Sequence, residues 1–168
     1  MTKEKVSLSK PWQDFSKWEK KLSADVDSPM YEKYRKEIQE NNYLVLEVFQ
    51  QYLKEKLGLS DVVVRRHDEN IDFFLNEGAL YYGLHTPDKA IYEISDFLGD
   101  FFPRKAMWAS RASLKQNGAS LKRFYNFLYE MDEINENQLK FVKTSVISGI
   151  QSGLEHIEWQ EELLEEWD

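Results

Sequence analysis

Between Arg104 and Tyr129 the chain carries six Lys or Arg and no Asp or Glu, although its formal net charge is −8, so the remaining residues hold −14. Arg104, Lys105, Arg111, Lys115, Lys122 and Arg123 are the cations of this stretch, and Ser110, Ser113, Asn117 and Ser120 add uncharged donors. Lysine and arginine beside small hydroxyl and amide side chains are the chemistry that holds a nucleic-acid backbone, where phosphate contacts fix position without reading bases. The candidate DNA-binding set is therefore Arg104, Lys105, Arg111, Ser113, Lys115, Asn117, Lys122 and Arg123. No residue pattern identifies base readout. The plain alternative is an ordinary solvated face, which is what cations on an amphipathic helix most often form.

Other chemistry finds little support. His67 lies on an apolar stripe and reads as a core histidine; His85 sits in a turn. His156 precedes Glu158, Glu161, Glu162 and Glu165, but no helix carries two histidines at metal-binding spacing, so the acids read as a solvated face and no metal site is expected. Glycines are scattered and form no phosphate loop, and no serine or carboxylate has a paired base at recognisable spacing. The expectation is no active site, no catalytic residue and no cofactor.

The elements that would position the basic stretch follow from apolar periodicity. From Ser110 to Met131, Leu114, Leu121, Phe124, Tyr125 and Leu128 recur at helical spacing, and Arg111, Lys115 and Lys122 share a narrow arc beside that stripe. Upstream, residues 1–27 predict a short helix or arm with Pro11 in its first turn and Trp12, Phe15, Trp18 and Leu22 facing inward. Ser28-Pro29 is to open a long helix running through residues 28–58, stopped by Gly58. Ser60-Asp61 caps a helix whose inward positions are Val64, His67, Ile71, Phe74, Leu75 and Gly78. Gly83 to Pro87 is turn chemistry, Thr86-Pro87-Asp88 opens a short helix, and Ser95-Asp96 caps a segment burying Phe97, Leu98, Phe101 and Phe102 until Pro103 breaks it. Asn135 caps the last helix, 135–168, with Leu139, Val142, Val146, Ile150 and Leu154 inward. In it Ser145, Gly149 and Gly153 recur every four residues. Each glycine there costs about 1 kcal/mol against alanine, which close approach of another helix would offset. No stretch alternates as a strand does, so the class is all-α.

Residues 59–131 carry a resemblance. Leu59-Ser60 opening a helix with Ile71, Phe74 and Leu75, then Ile94-Ser95-Asp96-Phe97-Leu98, then Ala112-Ser113-Leu114-Lys115-Gln116-Asn117 running into Ser120-Leu121-Lys122-Arg123-Phe124-Tyr125-Asn126-Phe127-Leu128 resemble the N-terminal, SAM-like core-binding domain of tyrosine recombinases and integrases. The resemblance implies a helical bundle gripping one side of a DNA duplex, here extended by N- and C-terminal helices. Val62, Val63 and Val64 stand where that family commonly has a threonine in the opening turn. The catalytic domain that should follow Met131 has no room, since Asp132 to Asp168 contain neither arginine nor tyrosine. What the resemblance implies is a core-binding module without cleavage chemistry.

The 168 residues suffice for one domain with a substantial core. With no cysteine there is neither a disulfide framework nor a thiolate site. No apolar run reaches the roughly 18 residues of a membrane span, and the N-terminus has no signal-peptide core. The expectation is a cytoplasmic protein that does not engage a membrane. Residues 131–168 hold ten Asp or Glu and two Lys, with the acids of the last turns interleaved with Ile157, Trp159, Leu163, Leu164 and Trp167. Such a segment is too apolar for a free tail, and docks on its own domain or on a second copy. Three functions follow. The first is an accessory DNA-binding protein related to recombination, binding duplex weakly and salt-dependently. The second is a protein-interaction or assembly module of phage or mobile-element origin that no longer binds DNA. The third is an inhibitor whose acidic end mimics nucleic acid.

Overall fold

The computed structural model describes residues 8–167, all of whose regular structure is helical. Helix α1 spans Tyr31–Gln51, α2 Asp61–Asp72, α3 Ile94–Asp96, α4 Phe102–Lys105, α5 Arg111–Glu130 and α6 Glu136–Trp167. Three widened π turns extend them: Tyr52–Lys56 follows α1, Phe73–Gly78 follows α2, and Phe97–Phe101 joins α3 to α4.

Helix α5 is the centre. Leu114, Leu121, Phe124, Phe127 and Leu128 are fully buried, each contributing roughly 1.5–3 kcal/mol relative to exposure. Phe49 of α1 meets Phe124 edge-on with ring centroids 5.2 Å apart, and Trp12 meets Phe127 at 6.2 Å. α2 packs on one side of α5 and α6 on the other, while α3, α4 and the turn between them lie along α6.

The small side of α6 is where that last packing happens. A Cβ on Gly153 would stand 2.4 Å from the carbonyl oxygen of Leu98, and one on Gly149 2.9 Å from the Leu98 Cβ. Backbone approaches this close admit only glycine, so the helix propensity lost at both positions is exchanged for contact with the Phe97–Phe101 turn. The close approach expected from the four-residue spacing is the one observed.

Three expectations about elements need correction. Residues 8–27 form no α-helix: the regular structure there is a single 3₁₀ turn, Phe15–Trp18, and residues 1–7 lie outside the described residues. Trp12, Phe15 and Trp18 are nonetheless buried; the arm is held by Gln13 and Asn41 exchanging two hydrogen bonds and by Lys10 and Trp12 both donating to Glu133. Pro103 does not break its segment either. It falls in the first turn of α4, immediately after a π turn, where its missing N–H is no loss and the wider turn makes space for its ring. Ser95 likewise caps nothing, because a 3₁₀ turn at Ala90–Glu93 already leads into α3.

The boundaries at Gly58, Ser60 and Asn135 are as the sequence sets them. Ser60 accepts from the Val63 N–H at the start of α2, and Gly58 ends the preceding turn with φ +65°. Asn135 and Gln138 form a reciprocal cap at α6, each side chain accepting the other's backbone N–H at 2.8 Å. Helix α1 starts later than expected, at Tyr31, after a turn in which the Ser28 carbonyl accepts from the Tyr31 N–H.

Candidate nucleic-acid interface

The basic stretch is not one surface. Its first three cations are engaged by neighbours. Arg104 bonds Asp100 one turn back at 3.1 Å and the Tyr82 hydroxyl at 3.2 Å; these bonds, Asp100 first, raise its pKa further. Lys105 Nζ lies 5.1 Å above the ring of Tyr81, a cation–π contact. Arg111 forms a two-pronged pair with Glu161 of α6 at 2.6 and 2.9 Å. That hydrogen bonding raises the Arg111 pKa and lowers that of Glu161. The acidic end of α6 thus occupies one of the residues expected to meet phosphate.

The uncharged donors are also turned to structural work. Ser110 and Ser113 make a capping box, Ser113 Oγ accepting from the Ser110 N–H at 2.8 Å and Ser110 Oγ accepting from the Ser113 N–H at 3.1 Å. Asn117 is buried and its amide donates to the Ser113 carbonyl. The expectation that Asn117 offers an outward donor fails because its side chain faces the core. Ser113 is only half-buried, but its hydroxyl already serves the cap.

Lys115 and Lys122 remain. Both are exposed, on one side of α5 and about 10 Å apart along its axis at 1.5 Å per residue. Arg123, half-buried, leans toward α2, where it and exposed Arg66 both act on His67. Arg66 was not among the residues singled out from the sequence. Its adjacency to His67 was visible there, but that Arg123 acts on the same ring depends on how α2 packs against α5. Among the described residues, none of Lys115, Lys122, Arg123 and Arg66 has a carboxylate within ion-pair distance.

Below this seam lies a buried polar knot. His67 Nδ1 is 2.7 Å from Ser120 Oγ, which also accepts from the Asn70 amide at 3.0 Å and donates to the Gln116 carbonyl. With its proton given to Gln116, the hydroxyl can only accept from the ring, so the network assigns the proton to Nδ1 of a neutral imidazole. Burial first, then Arg123 and Arg66, hold His67 down to about 4. A serine whose proton is spent on a helix carbonyl and whose histidine donates rather than accepts is not an activated nucleophile. The knot pins α2 to α5, as expected of a core histidine.

Two recesses are open and mixed in charge. One of about 310 Å³ is lined by Gln50, Lys54, Asp61, Val64, Arg65 and Asp68, with Lys54 paired to Asp61 and Asp68 raised mainly by burial. Another, about 300 Å³, sets Tyr82, Phe97 and Phe101 beside Glu93, Asp96 and Asp100; Glu93 pairs with His85 and Asp100 with Arg104. No group of three or more His, Asp or Glu among the described residues is placed to hold a metal ion. No helix among them is long and apolar enough to cross a membrane. No family model, curated protein or solved structure matches the chain.

Proposed function

We propose that this chain is a non-catalytic, SAM-like module of the recombinase core-binding kind that holds duplex DNA weakly through its phosphates, in a cytoplasmic setting. The contact residues are Lys115, Lys122 and Arg123 of α5 with Arg66 of α2. The observation that carries this reading is that these four cations lack carboxylate partners among the described residues of a chain whose net charge is −8. Long cationic side chains without acidic partners are free to displace counterions from a phosphate backbone. Tyr125, the tyrosine of the basic helix's apolar stripe, is closed to substrate, since it is wholly buried with its hydroxyl donated to the Pro87 carbonyl. Burial raises its pKa well above the ordinary tyrosine value.

Fluorescence anisotropy on duplex DNA across a salt series tests this. Lys115→Gln with Lys122→Gln should weaken binding on all sequences alike and flatten the slope of log K against log salt by roughly one unit for each phosphate no longer neutralised. Supercoiled plasmid should stay uncut. Unchanged binding in the double variant would remove the site from α5, and a covalent protein–DNA adduct would overturn the non-catalytic reading.

A second reading, an assembly module that binds protein in place of DNA, is favoured by one observation: Met107, Trp108 and Tyr82 stand exposed in one region of the surface beside Arg104 and Lys105.

A further inference from the structure

The register between α5 and α6 is fixed by their glycines. A Cβ on Gly118 would stand 2.5 Å from Ile150 Cδ1 and 3.2 Å from Val146 Cγ1, and one on Gly153 would stand 2.7 Å from Leu114 Cδ2. The Arg111–Glu161 pair continues the series. Low numbers on α5 meet high numbers on α6, so the two helices run antiparallel, with Gly118 facing the turn from Val146 to Ile150.

That register brings a lysine of α6 beside the basic flank of α5. Lys122 lies four residues past Gly118, about 6 Å along the axis, and the same step back along α6 from the Val146–Ile150 turn reaches residues 142–146. Lys143 is there. At about 100° per residue, Lys115 and Lys122 are turned about 60° and 40° from Gly118 in the same sense, and Lys143 about 60° from Val146. All three are exposed, whereas Leu121, Tyr125, Val142 and Val146 on the inner side are buried. The three lysines therefore border the outer side of one groove. Arg123, the next residue after Lys122, is turned a further 100° or so, toward α2.

The groove is also free of acids from both walls. Residues 111–129 of α5 and 137–154 of α6 contain no Asp or Glu, in a chain that has 30. The antiparallel packing lays these two windows side by side. Among the described residues, Lys143 has no ion-pair partner, unlike Lys140, which pairs with Glu136. At the other end Glu161 and Glu158 act on Arg111 and close the groove to anions.

We infer that Lys143 of α6 is a further phosphate contact, and that one DNA backbone follows the α5–α6 groove past Lys115, Lys122 and Lys143. This rests on the DNA reading above and adds a third helix to its contact surface. Lysine ammoniums act on phosphate as point charges and need no fixed geometry, which suits a groove that positions a backbone without reading bases. Three phosphates neutralised there contribute about 2.7 to the slope of log K against log salt.

Anisotropy of the full chain on duplex DNA across a salt series, with each variant checked for native circular dichroism, tests the assignment. Lys143→Gln should weaken binding on all sequences alike and lower the slope by about 0.9, and Lys143→Arg should keep it. Lys140→Gln, whose ammonium already faces Glu136, should leave the slope as it is. A slope unchanged by Lys143→Gln, while Lys115→Gln with Lys122→Gln flattens it, overturns the inference and leaves the DNA reading standing. Equal losses from Lys140→Gln and Lys143→Gln also overturn it, since net charge alone would then account for both. A wild-type chain that binds no duplex, or a Lys115→Gln/Lys122→Gln variant that binds unchanged, overturns the DNA reading itself and this inference with it.

Discussion

Placing an alanine at Gly153 asks whether α6 is held by backbone contact. Alanine in a helix interior gains about 1 kcal/mol over glycine. Against that, the new methyl group would sit 2.4 Å from the Leu98 carbonyl oxygen and 2.7 Å from Leu114 Cδ2. The first of these atoms is backbone and cannot rotate aside. Separating the Phe97–Phe101 turn from α6 costs about 1–3 kcal/mol or more, as overpacking does, and loosens the packing around Val146, Leu98 and Leu114, all buried. The expected net effect is a loss of about 2 kcal/mol, lowering Tm by about 4–8 °C for a chain of this size. Gly118→Ala is the internal control. Its methyl would meet Ile150 Cδ1 at 2.5 Å and Val146 Cγ1 at 3.2 Å; the shorter contact is with the far end of a flexible side chain that can change rotamer, so the loss should be smaller than at Gly153. Gly149→Ala, facing Leu98 Cβ at 2.9 Å and Ser95 Cα at 3.2 Å, falls between the two. Urea denaturation of the three variants at equal m-value measures the order. A Gly153→Ala protein as stable as wild type, or a Gly118→Ala protein that loses as much, refutes the close-packing account.

Three further outcomes are expected from the same packing. His67 is held down to about 4 in the folded chain, below its unfolded value of about 6.5. Its neutral form therefore contributes stability in full above the unfolded value, which is lost as pH falls through that window, by at most on the order of 3 kcal/mol. Urea midpoints from pH 7 to pH 4 should show that decline, and His67→Gln should flatten it; an equal decline in the variant assigns it to other groups. Deleting residues 158–168, whose described side chains are exposed apart from half-buried Gln160, should leave Tm within a few degrees, whereas ending the chain after Gly153 also removes Leu154 and buried Ile157 and should cost markedly more; equal losses would mean the terminal turns pack on the domain. Glu161→Gln releases Arg111, so DNA binding at low salt should tighten while thermal stability stays nearly level. Unchanged binding would show that the pair masks nothing.

The all-helical class, the caps at Ser60 and Asn135, and the stop at Gly58 were legible from residue order alone, whereas Ser110 was read as a phosphate donor and is a cap. Each depends on interactions within a few positions, where propensity and capping chemistry act directly. The inward sets of α2, α5 and α6, and the meaning of the Gly149–Gly153 spacing, were also readable, because a helix's period maps sequence onto faces. Pro103 misled, since the π turn before it is a local departure that no periodicity announces. The basic stretch misled more instructively. The absence of acids over residues 104–129 described the chain's order and not its surroundings: Asp100 lies one turn before Arg104, and Glu161 comes from a helix fifty residues later. Which cations keep an open side, and that Arg66 joins them, was decided only when α2, α5 and α6 packed. Side-chain type and helical phase are properties of the chain, whereas a charge's partners belong to whatever element the fold brings within a few ångströms.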